Sequence, residues 1–292
     1  MPKIEPKEKR LVAIVSVALG ISMLVATIAT LILFPSVTLP LQWDRLLIVG
    51  LMIALFPPAT VEYLDLRWQR GIDKNIPSLL REIAESGRTG LTLTRAIEVS
   101  SERDYGPLTP ELKRLLAQLS WGATLEDALH AFAIRARTKL AQRVATLITE
   151  VSRSGGDTQE IMEQVNRHIN ELQTIDRERY TQMRPYSVVV YIAFGVFLFT
   201  DIMLIQTFFT QIINMQSKVL QSAGGGGVFG GIGSVNISLL KEILFHATVI
   251  QAIFGGLIAG KMSEGKLGAG LKHTVMLLLI TFMAFFLFVW GV

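Results

Sequence analysis

Cysteine is absent from this chain of 292 residues, and histidine occurs four times. The absence of cysteine excludes disulfides, thiolate metal sites and cysteine nucleophiles. No two of the histidines, His130, His168, His246 and His273, have the spacing of a histidine metal site. We therefore predict no catalytic residue, metal or cofactor, and we expect His130 and His168 to lie on a solvated surface.

Charge is also scarce. Charged residues make up 18% of the chain and hydrophobic residues 50%, and the mean hydropathy is +0.45. A soluble domain of this size is rarely so apolar, so the composition indicates a membrane protein. The net charge is only +4, without a clustered basic run, which argues against nucleic acid as a partner.

Long runs without charge predict the membrane spans. Leu11–Phe34 has 24 residues, enough to cross about 30 Å of hydrocarbon as a helix, and we interpret it as an anchor rather than a signal peptide. The second span is interrupted by Pro57 and Pro58, and the third opens after Pro185. The five predicted spans are Leu11–Phe34, Leu46–Val61, residues 185–209, Ile243–Ala259 and Thr274–Val292.

The distribution of lysine and arginine predicts the orientation. The N-terminal tail, the segment 67–184 and the connection 260–273 carry most of these residues, which places them in the cytoplasm and the C-terminus outside. The chain then divides into an N-terminal tail with two spans (1–66), a cytoplasmic domain (67–184) and three spans with a glycine-rich outer loop and a basic inner loop (185–292). We expect it in the cytoplasmic membrane.

The cytoplasmic domain has the three- and four-residue apolar spacing of amphipathic helices. One predicted buried stripe contains Leu112, Leu115, Leu116 and Leu119. The fold class is therefore all-α, with a six-helix bundle beside the spans. The six predicted helices cover residues 74–87, 93–103, 110–121, 125–136, 138–153 and 158–184.

An internal repeat lies within this bundle. The segment Gly90–Ile97 matches Gly122–Leu129 at an offset of 32 residues. In both copies we expect glycine to close one helix in the left-handed conformation and threonine to cap the next. Thr109 before Pro110 similarly predicts a cap, and Gly155-Gly156 followed by Asp157 predicts a break before the last helix.

Two features of the spans leave alternatives open. Asp201 and His246 are ionisable residues within or near spans, so a small secondary transporter is an alternative function, although a structural role is favoured. Gly256 and Gly260 form a small-xxx-small motif, which predicts close helix packing either within the chain or at a dimer seam. The glycine-rich stretch 224–233 predicts a flexible loop and lacks the ending of a phosphate loop.

Three motifs occur in order along the bundle. The first is Leu-x-x-Ile-x-x-x-x-Arg-x-Gly-Leu-x-Leu-x-x-Ala-Ile (Leu80–Ile97), the second Trp-Gly-Ala-Thr-Leu-Glu-Asp-Ala-Leu (Trp121–Leu129), and the third Ile-Thr-Glu-Val-Ser-Arg-Ser-Gly-Gly-Asp (Ile148–Asp157). Together they resemble the F domain of type II secretion systems, most of all in its archaeal branch. That domain belongs to the multi-pass platform proteins of type IV pili, type II secretion and the archaeal flagellum.

The resemblance implies a platform without enzymatic activity. It implies a cytoplasmic hexameric ATPase and pilin-like subunits as partners, beside the lipid bilayer. It also implies structural roles for the turn and motif positions Gly90, Gly122, Glu150, Gly155 and Gly156. Many platform proteins carry two such bundles and this chain carries one, which favours a homodimer or another oligomer.

The connection 260–273 contains one acidic residue, Glu264, and three lysines, Lys261, Lys266 and Lys272. They are candidates for docking the ATPase through complementary charge. Anionic lipid headgroups are the alternative partner for the same three side chains.

Overall fold

Nine α-helices make up most of the described residues of this computed structural model, which are 6–33, 40–154, 158–212, 214–215, 218 and 237–290. The absence of any strand within these ranges confirms the all-α fold class. The helices are α1 Pro6–Leu33, α2 Pro40–Arg88, α3 Leu93–Ser100, α4 Thr109–Ser120, α5 Leu125–Ala136, α6 Lys139–Ser154, α7 Thr158–Met203, α8 Ile237–Glu264 and α9 Gly270–Phe285. Short 3-10 turns at Gly106–Leu108 and Leu267–Ala269 precede α4 and α9, and π-helical turns at Leu204–Phe209 and Phe286–Trp290 extend α7 and α9.

The chain folds into two compact units. The bundle unit comprises residues 63–181, and the membrane unit comprises the described residues of 6–62 and 182–290. The unit boundaries fall inside α2 and inside α7, so each of these helices contributes residues to both units.

The bundle unit is held together by the apolar stripes of its six helical segments. On α4, Leu112 and Leu115 are fully buried, whereas Leu116 and Leu119 are only partly buried and pack against the edge of the core. On α2 and α7, Ile72, Leu80 and Ile169 reach the same core. Burial of one stripe per helix provides most of the stability of such a bundle.

The sequence predicted a span ending at Val61 and a separate bundle helix starting at residue 74. In the structure both belong to one helix, α2. This helix runs through Pro57 and Pro58, where the hydroxyl of Thr60 donates to the Pro57 carbonyl at 2.8 Å. Pro185 likewise lies inside α7 rather than between two helices. Proline removes one donor and crowds one carbonyl, but flanking turns can keep the helix continuous.

The predicted cap at Thr109 is wrong. Thr109 is the first residue of α4, and no side chain caps this helix. Its hydroxyl oxygen instead accepts from the Tyr105 amide at 2.7 Å, while the hydroxyl donates to Asp104 at 3.1 Å. The 3-10 turn Gly106–Leu108 leads directly into α4, so the threonine stabilises the entry to that turn instead.

Four helices in the described part of the chain are long and apolar enough to cross a membrane. Their stretches are Leu47–Arg88, Glu160–Ile212, Ser238–Glu264 and Leu267–Val289. The fifth predicted span, Leu11–Phe34, is helical as far as Leu33 and stays a prediction as a span. Many large apolar side chains of the membrane unit are exposed, including Ile192, Phe199 and Phe254, as expected for a surface that faces lipid. The chain is a multi-pass membrane protein.

Candidate functional site

The two copies of the internal repeat form equivalent turns. Gly90 and Gly122 have φ of 81° and 87°, the left-handed conformation that glycine adopts without a steric penalty. Beyond each glycine a threonine caps the next helix. The Thr92 oxygen accepts from the Arg95 amide at 3.4 Å, and the Thr124 oxygen accepts from the Asp127 amide at 3.1 Å. The turns therefore set where α3 and α5 begin.

Arginines at the same position of the two repeat copies form ion pairs that the sequence analysis did not identify. Arg103 pairs with Glu82 of α2 at 2.8 Å, and Arg135, 32 residues later, pairs with Glu111 of α4 at 2.9 Å. Glu111 is buried and also receives a hydrogen bond from Arg114 at 3.0 Å. Burial of Tyr105 raises the pKa of its hydroxyl, Glu82 raises it further and Arg103 opposes the shift, so this side chain stays neutral.

A second buried ion pair joins α2 to the end of α5. Arg137 has φ of 56°, the one left-handed residue other than glycine in the described chain. Its guanidinium pairs with the buried carboxylate of Asp65 at 2.8 Å and lies 5.6 Å from the centre of the Trp68 ring. Gln69 also donates to Asp65 at 2.8 Å. Removing Arg137 would take a cation from the buried Asp65 carboxylate, which is destabilising.

The bundle surface carries two features of a binding site. Trp121, beside the second repeat glycine, is 88% exposed. A groove of about 530 Å³ lies between α6 and α7. It is lined by Lys139, Gln142, Arg143, Thr146, Leu147, His168, Ile169 and Leu172. His130 and His168 are exposed, and His168 is part of the groove.

Of the motif positions at the end of α6, Glu150 is exposed. Gly155, Gly156 and Asp157 lie outside the described residues, as does the glycine-rich stretch 224–233. Among the residues that are described, no cluster of histidine and carboxylate side chains could hold a metal ion.

In the membrane unit, Asp201 and His246 have different surroundings. Asp201 is buried, and its carboxylate accepts a hydrogen bond of 2.6 Å from the hydroxyl of Thr248 on α8. His246 is exposed, and its Nδ1 atom lies 2.8 Å from the Glu242 carbonyl of its own helix. The structure thus pairs Asp201 with Thr248 rather than with His246, which gives the carboxylate a packing role between α7 and α8.

The glycines of α8 lie against the backbone of α9. A Cβ atom at Gly256 would come within 2.4 Å of the Thr274 Cα, and one at Gly260 within 2.1 Å of the Gly270 Cα. The Thr274 hydroxyl also donates to the Ile253 carbonyl at 3.3 Å. Of the two alternatives for this motif, the described contacts are those of packing within one chain.

The connection between α8 and α9 is shorter than the predicted basic loop. Helix α8 continues to Glu264, Gly265 has φ of 71°, and a 3-10 turn leads into α9 at Gly270. Lys261 therefore lies on α8 and is exposed, whereas Lys272 lies on α9 and forms an ion pair with Glu264. Lys272 is thus paired within the hairpin.

Comparisons with known proteins agree with this architecture. The family model described as type II secretion system (T2SS), protein F matches residues 79–205. An uncharacterized protein of Methanocaldococcus jannaschii is 24% identical over 245 residues, which are 84% of this chain and 38% of that protein. Flagella accessory protein J of the same organism is 20% identical over 210 residues, which are 70% of this chain and 36% of that protein.

The chain thus spans less than two fifths of the length of these curated relatives. No solved structure matches it significantly. The matched segment begins in the bundle part of α2 and includes both repeat turns, Arg135 and Arg137. It ends in the π-helical turn that extends α7, just beyond Asp201. Residues 79–205 of this chain thus match the type II secretion system protein F family.

Proposed function

We propose that this chain is a platform protein, without enzymatic activity, for the assembly of a type IV pilus-like filament. The filament would be an archaeal flagellum, a pilus or a secretion pseudopilus. The observation that carries the proposal is the match of residues 79–205 to the protein F family inside a multi-pass helical membrane protein. The similarity to an archaeal protein named Flagella accessory protein J supports the same role.

In this role the chain couples a cytoplasmic hexameric ATPase to the insertion of pilin-like subunits into the base of the filament. The N-terminus and the bundle unit face the cytoplasm, and the C-terminus faces outward. This orientation is supported by the excess of lysine and arginine in the segments predicted to be inside. The platform works as a homodimer or a larger oligomer, because many of the platform proteins that it resembles combine two such bundles.

The function is tested by removing the chain from its cell. Deletion of the gene should abolish a surface filament or the secretion of a protein, and a plasmid copy should restore it. The full chain, purified in mild detergent from the complemented cells, should bring a hexameric ATPase with it. Normal filaments and secretion in the deletion strain would contradict the platform role, whatever co-purifies.

The lysines of the α8–α9 hairpin are our proposed contact for the ATPase. Lys261 and Lys266 are exposed, whereas Lys272 is half-buried and paired with Glu264, so Lys261 and Lys266 should contribute more than Lys272 to the attraction. Changing Lys261 and Lys266 to Glu should abolish co-purification of the ATPase, and changing both to Gln should reduce it, because complementary charge sets the choice of partner. The measurement is the ATPase recovered with the full chain.

The matched control is Lys241→Glu, at the other end of α8, which should leave recovery unchanged. Since lysines also set topology, a reporter fused after Val292 must first show that each variant inserts like the parent. Full ATPase recovery with a correctly inserted Lys261→Glu/Lys266→Glu variant would exclude this contact. The lysines would then be left with anionic lipid headgroups as their partners.

A further inference from the structure

We propose that the groove between α6 and α7 binds an acidic amphipathic helix of a partner protein. The groove lies entirely within the bundle unit, and none of the hairpin lysines lines it. The inference therefore goes beyond the platform role and holds whether or not those lysines contact a motor.

The groove has an apolar floor and a basic wall on α6. Ile169 is completely buried at its base, and Leu147 and Leu172 are half-buried beside it. Lys139 and Arg143 follow each other at a spacing of four residues on α6, so both project along one face of that helix. His168 stands on the opposite wall, one residue before Ile169.

The charge of the groove has one sign. No carboxylate is among its described lining residues, and the exposed Glu150 and Glu171 of the same two helices lie outside the lining. Neither Lys139 nor Arg143 has an ion-pair partner within the described ranges. Several other arginines of the bundle unit form ion pairs with carboxylates, although not all of them do. These paired arginines are Arg88, Arg95, Arg103, Arg114, Arg135, Arg137 and Arg153.

This combination of charge and shape favours a helix as the occupant. An amphipathic helix with leucines at three- and four-residue steps would cover the apolar floor, and glutamates on its flanks would pair with Lys139 and Arg143. The apolar floor is prolonged by Ile175, one turn beyond Leu172 on α7, whose side chain is 59% exposed. Anionic lipid headgroups would pair with the two cations but have no apolar surface of their own to cover the floor.

The absence of cysteine permits a direct measurement on the full chain. Gln142→Cys places a single thiol at an exposed position of the groove, where an environment-sensitive dye can be attached. The labelled chain is placed in nanodiscs and titrated with a synthetic peptide helix that carries glutamates on one face and leucines on the other. We expect the dye to respond to this peptide, less strongly as salt is added, and not to a scrambled peptide of the same composition.

Two double variants separate the groove from general electrostatics. Lys139→Glu/Arg143→Glu should lower the affinity for the peptide roughly tenfold or more, because the charges of both groups that pair with its glutamates are reversed. Lys74→Glu/Lys113→Glu changes the net charge by the same amount at exposed positions outside the groove and should leave the affinity within about threefold. Circular dichroism of both variants checks that the helices are retained.

An equal loss of peptide affinity in the two double variants would overturn the proposal. Binding of the scrambled peptide as tightly as the amphipathic one would also overturn it. A dye response to anionic lipid in the nanodisc, without any response to the peptide, would also overturn it and would assign the groove to the membrane surface. The ATPase recovery described above is measured separately, so failure of this proposal is distinct from failure of the platform role.

Discussion

Gly260→Ala is expected to lower the thermal stability of the full chain substantially, although it adds a single methyl group. The new Cβ atom would lie 2.1 Å from the Cα and 2.2 Å from the N of Gly270, which are backbone atoms of α9. A backbone cannot rotate away as a side chain can, so α8 and α9 would have to separate. Overpacking of this kind costs about 1–3 kcal/mol and more where the neighbours cannot move.

The matched control for Gly260→Ala is Gly255→Ala on the same helix. A Cβ atom at Gly255 would meet only Val190 at 3.7 Å and Leu277 at 3.8 Å, which are ordinary contacts. Since alanine is a better helix former than glycine by about 1 kcal/mol, this variant should melt at or above the parent temperature. Thermal unfolding of both variants in the same detergent is the measurement, and equal melting temperatures would contradict the backbone contact.

Leu115→Asp should have the largest effect in the bundle unit. Leu115 is 1% exposed at the centre of the α4 stripe, and an aspartate there would have no partner. Burying an unpaired polar group costs about 2–7 kcal/mol, and the whole stability of a domain is about 5–15 kcal/mol. Hydrogen exchange in the full chain should therefore show loss of amide protection across residues 63–181.

Ala117→Asp provides the comparison for Leu115→Asp. Ala117 is exposed on the same helix, two residues away, so the added charge is the same but stays in water. The free energy of opening measured by hydrogen exchange should match that of the parent within about 0.5–1 kcal/mol. The lower helix propensity of aspartate is included in this margin. Retained protection in Leu115→Asp would mean that the assigned core of α4 is wrong.

The bundle helices were predictable because their signals are local. Helix α5 covers Leu125–Ala136, as the sequence predicted, since a glycine and a capping threonine fix where it starts. The same reasoning failed for α2 and α7, because proline is a local signal for a break and the surrounding helix overrides it. At Thr109 a contact with Tyr105 replaced the predicted cap.

The groove could not be predicted, because it depends on the spacing between two helices. His168 was expected to be an ordinary surface residue, and nothing in the sequence places it opposite Arg143. Asp65 was assigned to the N-terminal region, so its pairing with Arg137, 72 residues later, was also missed. The spacing of 32 residues between Arg103 and Arg135 was a signal that could have extended the repeat to these arginines, but their partners Glu82 and Glu111 do not share that spacing.

The glycine contacts between α8 and α9 bear on how the protein enters its membrane. Two helices joined by so short a turn and touching at the backbone are suited to leave the insertion machinery together, as one preformed hairpin. The backbone of α8 at Gly256 and Gly260 is then covered by α9 rather than by lipid. Because the turn is short, Lys261 and Lys272 lie at the same end of this hairpin and must reach the same side of the membrane.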